Sequence, residues 1–329
     1  MDIFLTYDYE LFFGQPTGSV EKCIIEPTNQ LRTIAKRTGV PMVFFIDVGY
    51  IKKLTEFAQQ FESAKSDLEL VRQQIETLVL EGHDCQLHIH PHWEDCTYTS
   101  NGWNMVTDRY KLVDFNEENI IKIVLEYQEI LQSITNKPVT SYRAGGWCLQ
   151  PFSKIKRAFE KAGLKLDSTV FKGGHFTAGN YFYDFRNTPD KSRWQFSDDL
   201  TQENENGGFW EYPIGNHFYH PLFFWRLFFL GRWNPKDHKP IGNGYPMASP
   251  GLRKKMLTKG MNLSACSDGY FVTKLPTILR KHRTKNFNEL VIIGHPKANT
   301  QFALKKLEWF IEKNKTNCNF TTFSELQLK

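Results

Sequence analysis

Apolar runs alternate along this chain with segments whose apolar positions recur at helical spacing. Near the start, "IFLTYDYE" reads as a strand, and "TNQLRTIAKRTG" as a helix stopped by Gly39. "PMVFFIDV" is an apolar, β-rich run of the buried-strand type. From Lys52 to Glu81 the pattern predicts one long helix, with Leu68, Val71, Ile75, Leu78 and Val79 on a common face. "GHDCQLHIH" predicts the next strand, "EENIIKIVLEYQEILQSIT" an amphipathic helix, and "TSYRAGGW" a short strand and turn. "PFSKIKRAFEKAG" then reads as a helix and "LKLDSTV" as a strand. The end repeats the rhythm, with "ELVIIGHP" a strand, "TQFALKKLEWFIEK" a helix and "CNFTTF" a strand.

Such β-α alternation predicts an α/β protein with a parallel sheet or barrel and helices outside it. The rhythm fails between about 173 and 250, where Gly, Asn, Pro and aromatic residues crowd together. No linker composition separates two domains. The expectation is a single catalytic domain over 1–329, with an aromatic-rich insertion at about 173–250. Its one greasy stretch, "HPLFFWRLFFLGRW", is interrupted by Arg226 and Arg232 and is too short and too charged to span a bilayer. It reads as an aromatic lid, a membrane-contact helix or a core helix, and the pattern favours the core.

Composition narrows the function classes. Of the 329 residues 40% are hydrophobic and 23% charged, as in ordinary globular proteins. The net charge of +5 is mild, no long basic block occurs, and no nucleic-acid motif is present. Six scattered cysteines without CxxC pairs read as free thiols in a reducing compartment. The opening "MDIFLTYDYE" lacks a basic segment followed by an apolar one, so the expectation is a cytoplasmic protein without a signal peptide or membrane span. Aromatic residues reach 15%, which a Phe-rich core largely explains and a sugar-binding groove would also use.

In α/β folds reactive groups collect at the carboxyl ends of strands, and four polar groups fall there. The first strand ends in Asp8-Tyr9-Glu10, which puts two carboxylates on one face. "QLHIHPHW", residues 86–93, places His88, His90 and His92 at every second position, although Pro91 turns the chain before His92. Two histidines and a carboxylate suit a divalent metal with positions open to water. "SYRAGGW" supplies Arg143, able to clamp a carboxylate, and glycines whose N–H groups a ligand can approach closely. "ELVIIGHPK" ends in His295.

"TYDYE", "GHDCQLHIHPH", "YRAGGW" and "IIGHP", in that order, resemble the motifs of polysaccharide deacetylases with the NodB-homology domain. The resemblance spans residues 6–296. It implies a distorted (β/α) barrel carrying a metal-dependent amide hydrolase. Asp8 would be the general base, and His88 and His92 metal ligands. Arg143 would orient Asp8, the Gly146 N–H would help hold an oxyanion, and His295 would be the general acid. Tyr9 stands where the family has a second, metal-binding aspartate, so Glu10 is the substitute ligand, with its role and that of Asp8 exchangeable. His90, Trp93 and Trp147 are left to the substrate pocket. Asp167 and Asp184 are the candidates for the partner of His295.

The resulting expectation is N-deacetylation of an acetylated sugar, in surface-polysaccharide assembly, with one divalent metal, zinc first. Two rivals stand beside it: hydrolysis of a small non-sugar amide or cyclic amide, and an inactive carbohydrate-binding relative. Part of the 173–250 segment, with Trp194, Trp210, Trp225, Trp233, Tyr219 and Phe218, is expected to cover the barrel mouth and touch substrate.

Overall fold

Strand Asp2–Tyr9 is almost entirely apolar until its last turn, and all but its first residue is buried. In the computed structural model, which describes residues 1–247 and 251–327, that strand pairs in parallel with Glu289–Gly294, register Phe4 to Val291 and Tyr7 to Gly294. Strand Asn319–Phe320 joins its other end in parallel. These elements belong to the first of two compact units, comprising Met1–Met42, Phe171–Gly174 and Ile214–Thr321. Helices Glu26–Thr38 and Gln301–Asn314 pack together in this unit, the first ending at Gly39 with φ 70°. An antiparallel pair, Asn216–Tyr219 with Met261–Ser264, completes its β-structure.

The second unit comprises Val43–Val170, His175–Pro213 and Thr322–Lys329. Its strands Val43–Asp47, Asp84–Ile89, Ser141–Ala144 and Leu166–Asp167 run parallel as successive neighbours. Phe209–Glu211 continues the sheet in parallel, and Trp194–Phe196 closes it antiparallel. Val43–Asp47 and Asp84–Ile89 are buried at every position, as strands with both faces covered should be, although Asp84, Gln86 and His88 make the second of them half polar. Helix Glu117–Thr135 begins at Asn116, whose side chain accepts the Asn119 N–H.

Two expectations are corrected here. The long helix from Lys52 to Glu81 is two helices, Val48–Phe57 and Glu62–Leu80. Phe61 is extended between them, and its ring packs on Tyr98 at 5.2 Å, a contact that a continuous helix would forgo. Helix Pro221–Trp233 is not a core helix, because it fully buries only Phe223 and Phe224. The 173–250 segment is shared between the units, 175–213 lying in the second and 214 onward in the first. Its residues 248–250 lie outside the described residues. Trp194 and Tyr219 are core residues at 2% and 0% exposure, whereas Trp225, Trp233 and Phe218 face solvent. All six cysteines are unpaired and buried.

Candidate active site

The first unit gathers its polar groups where two parallel strands end. Tyr7 is level with Gly294, so the next residues, Asp8 and His295, emerge side by side. His295 Nε2 lies 3.7 Å from Asp8 Oδ2. Its Nδ1 is 2.7 Å from Asp268 Oδ2, and its backbone N–H donates to Asp268 Oδ1 at 2.8 Å. One carboxylate therefore holds both the ring and the main chain of His295. Asp268 is the partner that the sequence did not locate, and the two candidates named for it are otherwise engaged. Asp167 accepts from the Thr169 hydroxyl and N–H, and Asp184 forms a fork with Arg186. No spacing signal tied Asp268 to His295, because the two meet only through the fold.

Burial alone would lower the pKa of His295. The charge and hydrogen bond of Asp268, followed by the charges of Asp8 and Glu10, outweigh that cost and raise it above 6.5. The ring stays 21% exposed and is therefore reachable. Glu10 is engaged with a different group. Lys297 Nζ donates to Glu10 Oε1 at 2.8 Å and also to the Leu11 carbonyl, with both charged side chains 8% exposed. Lys297, two residues past His295, is another residue that reading the strand ends did not single out.

In the second unit, register aligns polar groups across three strands: Asp47 faces His88, and His88 faces Arg143. His88 Nδ1 lies 2.9 Å from the Arg143 carbonyl, which can only accept, so Nδ1 carries a proton and Nε2 is the nitrogen left for a ligand in the neutral ring. A histidine fixed this way is oriented as metal-ligating histidines are. His90 follows on the same strand face, its ring 4.8 Å from that of His88, and the two residues offer nitrogens within 4.8 Å of each other. Gly145 makes room for it, since a Cβ there would come within 2.5 Å of the His90 ring.

His92 sits differently from the expectation that paired it with His88. Pro91 begins a 3-10 turn over Pro91–Asp95, which takes His92 off the strand face and stacks it on Tyr110 at 5.5 Å. The neighbouring pair is thus His88 and His90, and His90 is a ligand candidate rather than only a pocket residue. Trp93 is also corrected. It is 0% exposed, donates from Nε1 to Asp47 Oδ2 at 2.6 Å and packs on Tyr50 and Trp103, so no face is open to substrate. Trp147 is half-buried against Tyr183. Gly146, with φ 58°, lies under Tyr110 and Tyr181, where a Cβ would collide with both rings. Arg143 is wholly buried and donates to the Ser168 carbonyl at 2.7 Å and to its hydroxyl at 3.1 Å.

No family model matches the sequence, and no curated protein matches it. Solved structures do. A protein described as a polysaccharide deacetylase, from Mycobacterium smegmatis, is 14% identical and aligns over 98% of this chain and 87% of its own, with TM-score 0.54. The allantoinase PuuE is 11% identical over 98% and 88% of the two chains, with TM-score 0.51. The catalytic domain of a peptidoglycan N-acetylglucosamine deacetylase from Eubacterium rectale is 13% identical over 99% and 90%, with TM-score 0.42. The chain has the α/β fold of the NodB-like polysaccharide deacetylase type, as its ordered motifs implied, and at these identities the likeness is one of fold.

Proposed function

We propose that this chain is a metal-dependent hydrolase of non-peptide C–N bonds that removes the acetyl group from an N-acetylated sugar, in the assembly of a surface polysaccharide. The observation that carries the reading is His295, partly exposed, fixed by Asp268 on one ring nitrogen and faced by Asp8 on the other. A carbohydrate-binding relative without chemistry has no need of such an arrangement. The buried histidines of the second unit, with His88 locked in the tautomer that ligates, fit a divalent cation of the zinc kind. On this reading His88 and His90 hold the cation, and His92 stands as the alternative second histidine. When bound, the cation makes water acidic enough to react near neutral pH and polarises the acyl oxygen.

The chain's own groups supply the proton movements. Asp8 accepts a proton from the attacking water. His295, kept protonated by Asp268, donates to the departing nitrogen as the C–N bond breaks. The Gly146 N–H stabilises the oxyanion. Trp147 borders the sugar. Hydrolysis of a cyclic amide is the second reading, favoured by the fold match to an allantoinase.

Metal content and product release test the proposal together. Purified protein should hold one divalent metal per chain, and His88→Ala and His90→Ala should each lose most of it while His92→Ala keeps it. A panel of N-acetylated sugars beside cyclic amides should give acetate from a sugar. Metal-free protein that shows no turnover after zinc is added would sink the reading. Ring opening without acetate would move the assignment to the cyclic amides.

A further inference from the structure

Helix Pro221–Trp233 seats Phe223 and Phe224 in a small cluster with Tyr219, against which Tyr270 and Phe271 pack. Its opposite face is open. Leu222 is 80% exposed, Trp225 58%, Phe229 56% and Trp233 78%. At about 100° per residue these four fall within an arc of roughly 80°, so they form one stripe along the helix. Arg226 and Arg232, both exposed, border that stripe on its two sides. Phe229 and Trp233 stack at 5.1 Å, forming a joined apolar surface. Large rings turned to water along a whole helix face mark an interaction surface rather than scattered surface residues.

Charge points to what the surface meets. Residues 221–260 hold eight Lys and Arg against one acid, Asp237, a net of +7, while the whole chain carries +5. The remaining residues are therefore net negative, and the positive charge is concentrated around the stripe. All eight basic side chains are exposed. Helix Leu252–Thr258, with Arg253, Lys254 and Lys255, is fastened beside the aromatic helix. Trp225 Nε1 donates to the Leu257 carbonyl at 3.1 Å, and Arg253 lies 4.8 Å over the Phe228 ring.

We propose that this face docks on an anionic membrane surface. Leu222, Trp225, Phe229 and Trp233 enter the boundary between headgroups and acyl chains, and the basic side chains meet lipid phosphates. Tryptophan at the level of the headgroups and arginine at the edges of an apolar stripe are the chemistry of an interfacial helix. The helix lies on the surface rather than across it, because 13 residues reach only about 20 Å. Indeed, no helix among the described residues is long and apolar enough to cross a membrane. A second copy of the chain is a poorer occupant, since it would bring a second strongly positive patch against the first. This inference is independent of the proposed chemistry.

The test is co-sedimentation of the full chain with vesicles of mixed phosphatidylglycerol and phosphatidylcholine, and with vesicles of phosphatidylcholine alone. Binding to the anionic vesicles should be at least about tenfold tighter and should weaken with salt. The set Leu222→Ser, Phe229→Ser and Trp233→Ser should reduce it about tenfold or more, and so should Arg253→Gln, Lys254→Gln and Lys255→Gln, with melting temperature unchanged. Brominated acyl chains should quench tryptophan emission of the unaltered protein, a readout that needs no variant. Equal binding to both vesicle types, absence of quenching, or variants that bind as the parent does would overturn the proposal. So would a dimer that the apolar set converts to monomer without any vesicle binding, which would make the stripe a self-contact.

Discussion

Two buried charge clusters in this chain have similar positions and opposite characters. In the first unit His295 stands between Asp268 and Asp8 where parallel strands end. In the second, Asp167 and Glu211 are register partners on adjacent parallel strands, both wholly buried, with the buried Arg143 guanidinium close enough to act on both by its charge. Both clusters perturb their titrations, but for different reasons. Burial pushes the Glu211 carboxyl well above its usual value, and the charge of Asp167 pushes it further. Glu211 is thus the neutral member, giving its proton toward Asp167. In the His295 cluster opposite charges meet, and the ring remains partly open. A shifted pKa alone therefore does not mark a reacting group, and access together with a charge partner separates the two clusters.

The sharpest way to break this comparison is His295→Ala. General acid catalysis contributes roughly 10²–10⁴-fold, so turnover should fall by that order with metal content preserved. A near-normal rate on a substrate with a poor leaving group would make the His295 cluster as structural as the Glu211 one. Next in size is Lys297→Ala. Lys297 and Glu10 form a buried pair, and removing one partner of such a pair costs about 3–5 kcal/mol. Denaturant titration should show that loss, and adding Glu10→Gln should recover part of it. An unchanged midpoint would mean that the pair contributes nothing to folding.

The fold was legible because its signals are local. Most of the parallel strands named above fall on segments that read as strands, and the helix starting at Glu117 was announced by its periodicity; Phe209–Glu211, inside the 173–250 segment where the rhythm fails, was not. The reading failed where tertiary contacts decide. Phe61 breaks a helix to reach Tyr98, and an apolar helix at Pro221–Trp233 stays largely exposed because only Phe223 and Phe224 find a core. At the site, Asp8, Glu10, His88 and His295 stood out as polar residues closing apolar strands. Asp268 and Lys297 did not. Asp268 lies in a loop 27 residues before His295, and Lys297 reaches back to Glu10 across nearly the whole sequence. Pro91 marked the point where strand periodicity stops and His92 leaves the strand face, whereas His90, two residues after His88 on the same face, is its neighbour.

Asp268→Asn sharpens the comparison through pH. His295 has a folded pKa raised above 6.5, so its charged form stabilises the fold below about 6.5, and that contribution is lost as pH rises through the folded value. Turnover needs the same protonated ring, so kcat/KM should fall on the alkaline side through this pKa. Removing the Asp268 charge should move that limb to lower pH and leave metal content alone. A limb that stays in place would assign it to a different group.

The smallest effect should come from Glu211→Gln, which keeps the size and puts a hydrogen-bonding amide where the neutral acid stood. Turnover should change by no more than about twofold, because the group is sealed from any substrate. Stability should still respond, in a direction fixed by the raised folded pKa. A carboxyl held neutral by the fold stabilises it below the unfolded value near 4.5, and this contribution is lost as pH rises through the folded value. Gln does not titrate, so parent and variant should melt alike near pH 5, and the variant should gain progressively toward pH 9. Parallel melting curves across that range would show that the Asp167–Glu211 pair carries no extra proton. A large loss of turnover at unchanged stability would instead put Glu211 into the chemistry and erase the distinction between the two clusters.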